Sequence, residues 1–282
     1  MLPLVRQNLR RNWQHNLLSS VGVVVGIALL TFFLALDAGV RRVVFGKIFP
    51  IDRIEVIPSK ATLFGGAKRI DDALVRRLED PPSAMPRPRA VYPKMKLAVP
   101  SRGWGGKKIL GQDFYFEVSG FCEGIDARML MGEATPPYRF VDAPVTAPPK
   151  HRCQEGLLSC PKGTYCVDDL GECHAPVPAL ISRHMIEIYN SSIAPTHPRM
   201  PKIPDFAASV FAGRPFTVEL GRSYFGTRAP SGGGPVRRRF QLVGVSNKAA
   251  PLGLTIPLGY VKRWNARYVG IERSRYYTSV AI

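Results

Sequence analysis

Acidic residues are scarce in this sequence. Over 282 residues, 21 Asp and Glu stand against 39 Lys and Arg, a formal net charge of +18. No Gly-x4-Gly-Lys-Ser/Thr run occurs, so the chain carries no P-loop of its own. Gly-x-Ser-x-Gly and His-Glu-x-x-His are also missing, which removes nucleophile-elbow hydrolases and the common zinc peptidases. The glycine run 232–234 lies in a polar loop, without the helix start that a phosphate cradle uses. The acidic pairs 71–72 and 168–169 read as a helix cap and a turn, and His184 as a surface or packed residue. No catalytic residue, cofactor or metal is expected, and no enzymatic activity.

The basic excess raises nucleic acid as a partner, but the pattern argues against it. The basic residues are spread along the chain, and the one short run is Arg237-Arg238-Arg239. Neither zinc-finger spacing nor an aromatic-basic RNA motif appears. Membrane lipid or an acidic partner is the expected use of this charge.

Long apolar runs are equally few: there is one, residues 17–36, reading LLSSVGVVVGIALLTFFLAL. Twenty residues at helical rise span about 30 Å, the hydrocarbon thickness of a bilayer. The run is longer than the apolar region of a signal peptide, and Leu34-Ala35-Leu36-Asp37-Ala38 offers no small-x-small cleavage site, so it reads as a retained anchor. Before it, Leu2, Val5, Leu9 and Trp13 recur at spacings of three and four, with Arg6 and Arg10 off that stripe. This predicts a short interfacial helix whose apolar side and arginines suit the headgroup layer. Ser19, Gly22 and Gly26 form a small-residue track on which a second helix could pack.

Five cysteines are present, four of them at Cys153, Cys160, Cys166 and Cys173. A close C-x2–4-C pair, usual in zinc sites, is lacking, so two disulfides are the favoured reading. Three pairings are open; first-to-third with second-to-fourth is preferred. The bridges would fix a loop too small for its own core, either as a stabilised insertion or as a knob for a partner. Cys122 is left over and reads as a buried small hydrophobe rather than a reactive thiol. Flanking arginines nearly tie the orientation (Arg6, Arg10 and Arg11 against Arg41, Arg42 and Lys47), and the cysteines place the large domain in an oxidising compartment.

The remaining chain alternates short strands and helices, divided by loops rich in proline and glycine. Strands are expected at 53–57, 90–99, 113–119, 177–181, 216–220, 239–245 and 276–282, with Pro93 marking an edge or bulge. Helices are expected from an Asp71 cap to residue 79, from a Ser182 cap to 190, and from Pro257 to 268. The fold class is α+β: one N-terminal transmembrane helix, then a mixed α+β extracytoplasmic domain in two subdomains. The expected layout is a cytoplasmic amphipathic leader (1–16), a transmembrane helix (17–40) and the main domain (41–282), with a cysteine-rich insertion at 143–176.

The opening LRRNWQHNLLSSVGVVVGIALLTFFLAL resembles the first membrane helix of MacB/FtsX-type ABC transporter permeases. The stretches RIEVIPSK, AVYPKMKLAVP, GIDARML, VPALISRHMIEIYNSSIAP, QLVGVSNKAAPLGLTIPLGYVKRWN and YYTSVAI are similar, in order, to the MacB-like periplasmic core domain. The resemblance implies a bacterial inner-membrane permease subunit that works as a homo- or heterodimer with a cytoplasmic ABC ATPase. That partner's motion would reach the extracytoplasmic domain to export or release a lipoprotein, peptide or other amphiphile. Such permeases have three further C-terminal helices, which this chain lacks, so a fragment or truncated product is expected. A freestanding single-pass binding or adaptor protein is the alternative.

Overall fold

The computed structural model describes residues 13–43, 54–59, 69–82, 87–107, 113–142, 153, 160–167, 170–196, 202–204, 211–230 and 234–282. Two units are distinguished, Met1–Ile54 and Glu55–Ile282. In the first, α1 runs over Trp13–Val43. Its segment Leu17–Gly39 is long and apolar enough to cross a membrane. Every side chain from 17 to 39 is exposed. Trp13, read above as part of the leader, is the first described residue of α1. Val5, Arg6, Leu9 and Arg10 lie outside the described residues. Ser19, Gly22 and Gly26 sit on the exposed helix, with open space beside both glycines.

In the second unit, ten described strands form one mixed sheet: β1 (Glu55–Val56), β2 (Tyr92–Lys96), β3 (Ser101–Gly105), β4 (Phe114–Glu117), β5 (Cys122–Ile125), β8 (Val177–Ile181), β9 (Pro215–Leu220), β10 (Val236–Val245), β11 (Leu254–Pro257) and β12 (Ser279–Ala281). Their order is β1-β12-β2-β5-β11-β8-β10-β9-β3-β4. The pairs β5–β11 and β8–β10 are parallel and the others antiparallel. A separate hairpin pairs β6 (Tyr165–Val167) with β7 (Glu172–His174). With α2 (Asp72–Glu79), α3 (Ala127–Leu130), α4 (Arg183–Ile188), α5 (Leu258–Tyr268) and α6 (Ile271–Arg275), the unit is α+β.

One long bent hairpin shapes the sheet. Only residues 97–100 separate β2 from β3, and 118–121 separate β4 from β5. Leu97 N donates to Cys122 O at 2.9 Å and Val118 N to Ser101 O at 2.9 Å, so the ladder continues through both bends. Yet β5 pairs with β11 while β3 pairs with β9. The strands between them therefore run from one half of the hairpin round to the other. The curl encloses the main core, where Val99, Val118, Leu220, Phe240 and Ile256 meet Val261, Trp264 and Tyr268 of α5. A smaller cluster of Ile125, Leu130, Phe140, Leu180, Val243 and Ala249 takes residues of opposite parity on β5, β8 and β10, hence the other face.

Local signals account for the helix starts. Asp71 accepts the Leu74 N–H at 2.8 Å and Ser182 the Met185 N–H at 3.1 Å. Pro257 is the last residue of β11 and α5 follows it directly. The helix expected to reach 190 ends at Ile188 and continues as a wide turn over Tyr189–Ile193. Asn190 leaves the helix to clamp Ile203, accepting its N–H and donating to its carbonyl, both at 2.7 Å.

Pro93 departs from expectation, since β2 lies between β12 and β5 with regular pairing on both sides. Pro93 O accepts from Asp126 N at 3.3 Å, beyond the last pair, Lys94 with Ile125. The carbonyl of Asp126 is already taken by Met129 N at 3.1 Å as α3 begins. The donor that proline lacks therefore has no acceptor to serve, and an interior strand tolerates it.

Candidate functional site: an aromatic-floored groove

The residues that matter most here are two glycines in β3. Across the sheet, Gly103 is in register with Phe116 and Val218, and Gly105 with Phe114 and Phe216. A Cβ at Gly103 would come within 2.5 Å of the Phe116 ring, and one at Gly105 within 2.7 Å of Phe216 Cβ. Alternate glycines on one face of β3 thus leave the space that these rings fill. The rings continue as a row: Phe114 to Phe116 at 6.1 Å, Phe116 to Phe216 at 5.9 Å, Phe216 to Phe240 at 5.4 Å and Phe240 to Trp264 at 5.8 Å between centroids. Spacings of this order are favourable for aromatic pairs.

Above the exposed end of this row opens a groove of about 630 Å3. Its walls include Phe121, Ile181, Met185, Leu242, Leu252 and Leu254. Phe121 and Leu252 stand at its mouth, 49% and 50% exposed. Gly253 fixes that mouth: its φ is +99°, and a Cβ there would lie 1.7 Å from the Phe121 carbonyl oxygen. Leu254 N donates to the same oxygen at 2.7 Å. Only glycine adopts this bend at so close an approach.

Among the described residues, five charged ones border the groove: Lys107, Asp113, Glu117, Arg214 and Arg239. Strand parity sorts them. Glu117 alternates with Phe116, and its carboxylate accepts the N–H groups of Ser119 at 3.2 Å and Tyr224 at 2.9 Å. Arg239 alternates with Phe240, and its guanidinium lies 5.7 Å from the centre of the Tyr165 ring. Arg214 shares the parity of Phe216 and thus the groove side.

The cysteine hairpin docks beside this site. Cys153 is bonded to Cys166 and Cys160 to Cys173. The sulfurs of Cys153, Cys160 and Cys173 fall within 4.8 Å of one another. Disulfide bonding produces that proximity, and it leaves those sulfurs no thiolate to offer a metal. Val167 is buried, and Tyr165 Oη accepts the Arg239 N–H at 3.0 Å. Pairing of β10 with β8 begins at Phe240 and Val177, so the Arg239 amide lies one residue beyond the ladder, and the tyrosine supplies its partner. The Arg237-Arg238-Arg239 run is split by the pleat: Arg238 is buried, while Arg237 lies over the Trp104 ring at 5.8 Å.

Two other polar clusters read as clamps. Asp72 accepts from the Tyr277 hydroxyl and, at 3.0 Å, from Lys262 Nζ, which ties α2 to α5 and to the chain before β12. Burial, and then Asp72, push the Tyr277 hydroxyl well above its usual range, so it stays a donor. Glu55 accepts from Lys94 Nζ at 3.0 Å and Ser279 Oγ at 2.6 Å. Nearby, burial holds Glu123 above the usual carboxylate range against the pull of Lys94. Cys122 is fully buried on β5, and burial raises its thiol far from reactivity.

The groove was not read from the sequence. Phe114 and Phe116, two apart on one strand face, were its local signal. No protein-family model and no curated protein matches this chain.

Proposed function

We propose that this chain is the N-terminal part of a MacB/FtsX-type ABC transporter permease. In this reading α1 crosses a bacterial inner membrane with its N-terminus in the cytoplasm, and residues 41–282 form a periplasmic core domain. A cytoplasmic ABC ATPase drives the cycle, a permease dimer carries the motion outward, and the domain hands on a lipoprotein, peptide or other amphiphile. The observation that carries it is the pairing of one exposed, membrane-length apolar helix with an α+β unit that holds a large apolar groove. The disulfides in the cysteine hairpin support an oxidising location for that unit. The ordered sequence resemblance described above supplies the family.

The test is the size of the native protein in membrane fractions after alkaline carbonate washing, detected with an antibody to the 55–282 unit. A wash-resistant band clearly larger than 31.1 kDa is expected. A wash-resistant band at 31.1 kDa favours the single-pass binding or adaptor protein, whose binding surface would be the same groove and hairpin. Release by the wash refutes the anchor.

A further inference from the structure

The loop between β9 and β10 opens with a closed ring of residues. Ala229 N donates to Gly221 O at 3.0 Å, Ser223 N to Thr227 O at 3.0 Å and Thr227 N to Ser223 Oγ at 3.1 Å. Tyr224 seats this ring on the sheet. Its N–H donates to Glu117 at 2.9 Å, and its side chain lies 5.2 Å from the Arg102 guanidinium and 6.3 Å from the Tyr115 ring. Phe225 projects from the tip. It is 82% exposed, more than any other large hydrophobic side chain among the described residues. A backbone tied at both ends thus holds an apolar side chain where water surrounds it.

Arg222 and Arg228 face each other across the neck of the ring as a bridged antiparallel pair. Residues opposed in this way put their side chains on one side of the ribbon, and like charges there are destabilising. Both arginines are exposed, and among the described residues no carboxylate pairs with either. The acids of the adjoining strands are already engaged: Glu117 accepts from Ser119 and Tyr224, and Glu219 from Arg102 at 3.1 and 3.2 Å. One phosphate between the two guanidiniums would remove the repulsion and accept charge-assisted hydrogen bonds. A bilayer surface supplies that phosphate and, just below it, the apolar layer that Phe225 lacks. A protein partner would need a preformed pocket with an acid in register, whereas lipid opens around a projecting side chain. The formal net charge of +18 draws the chain to an anionic surface first. We propose that the ring 221–229 is a membrane-insertion tip for an anionic bilayer: Phe225 enters the acyl boundary while Arg222 and Arg228 share a lipid phosphate. This goes beyond the function proposed above and uses neither the groove nor the permease assignment.

The test is fluorescence quenching of Phe225→Trp by chain-brominated lipid, in the full chain held in nanodiscs. The signal is the difference from the native protein, which shares Trp13, Trp104 and Trp264. Bromine is placed in the disc in one sample and in added vesicles in another, so either the protein's own membrane or a facing one is detected. With phosphatidylglycerol present, quenching and a blue shift of the added indole are expected in one of the two samples. With phosphatidylcholine alone, neither is expected. Arg222→Gln with Arg228→Gln removes two surface cations worth about thirtyfold in partitioning, and should return the indole to its unquenched level. In the absence of anionic lipid that double variant should be at least as resistant to urea as the native chain, because the opposed charges are gone. A lower midpoint would make the arginines structural and overturn the proposal. So would quenching that is equal in both lipids or that survives the double substitution. Quenching in neither sample would also overturn it, and would leave the tip to a protein partner. The carbonate wash described above tests α1 separately, so a failed anchor and a failed tip are distinguishable.

Discussion

Asn265 of α5 accepts the backbone N–H of Ala98 at 2.8 Å, while its own amide donates to Lys96 O at 3.0 Å. The asparagine is 1% exposed, and the two backbone groups belong to the bend where β2 becomes β3. One side chain thus fixes the corner at which the long hairpin leaves one end of the sheet for the other. Asn265→Leu keeps the volume but leaves both backbone groups without this partner. It should cost about 2 kcal/mol, read as a lower urea midpoint of the full chain in nanodiscs. An unchanged midpoint would show that the bend holds without the clamp.

Two carboxylates predict pH effects of opposite sign. Glu123 is held above the ordinary range, chiefly by burial, with Lys94 opposing and Glu55 assisting. A raised folded pKa stabilises below the unfolded value, about 4.3 for glutamate. That contribution is lost as pH rises through the folded value. Glu123→Gln should therefore match the native protein in acid and exceed it at neutral pH. Asp72 is depressed, first by the Tyr277 hydroxyl. Its contribution is present above the unfolded value and lost as pH falls through the folded one. Asp72→Asn should be weaker than the native protein at neutral pH and converge with it in acid. Urea midpoints from pH 3 to 7 check both, and parallel curves for both variants would refute the electrostatic account.

What the sequence made legible follows from the range of the interactions. The caps at Asp71 and Ser182 and the start after Pro257 rest on residues within three or four positions, so pattern alone reveals them. β3 escaped because SRGWG has little strand character by composition. Its glycines make sense only opposite Phe116 and Phe216, one of which lies more than a hundred residues away. Pro93 misled for the same reason: its harmlessness depends on where the Asp126 carbonyl bonds. The groove needs β3, β4, β9, β10 and β11 together, and no local window contains that arrangement.

The cysteine hairpin is the last element whose role can be separated by experiment. Each disulfide closes a loop with a sequence separation of 13, for which chain entropy gives roughly 3 kcal/mol. The hairpin meets the main sheet through Tyr165, which satisfies the Arg239 amide where β10 outruns β8. Tyr165→Phe removes the acceptor and keeps the ring under the guanidinium, and should cost about 1 kcal/mol. Reduction should act differently, loosening residues 160–174 while the ten-stranded sheet persists, because none of its strands contains a bridged cysteine. Hydrogen exchange with and without reductant reads both effects. The expected result is lost protection in 165–174 and at the Arg239 amide, with β9 and β11 unchanged. If protection fell across β9, β10 and β11 together, the hairpin would be a structural keystone of the curled sheet rather than a separately stapled element beside the groove.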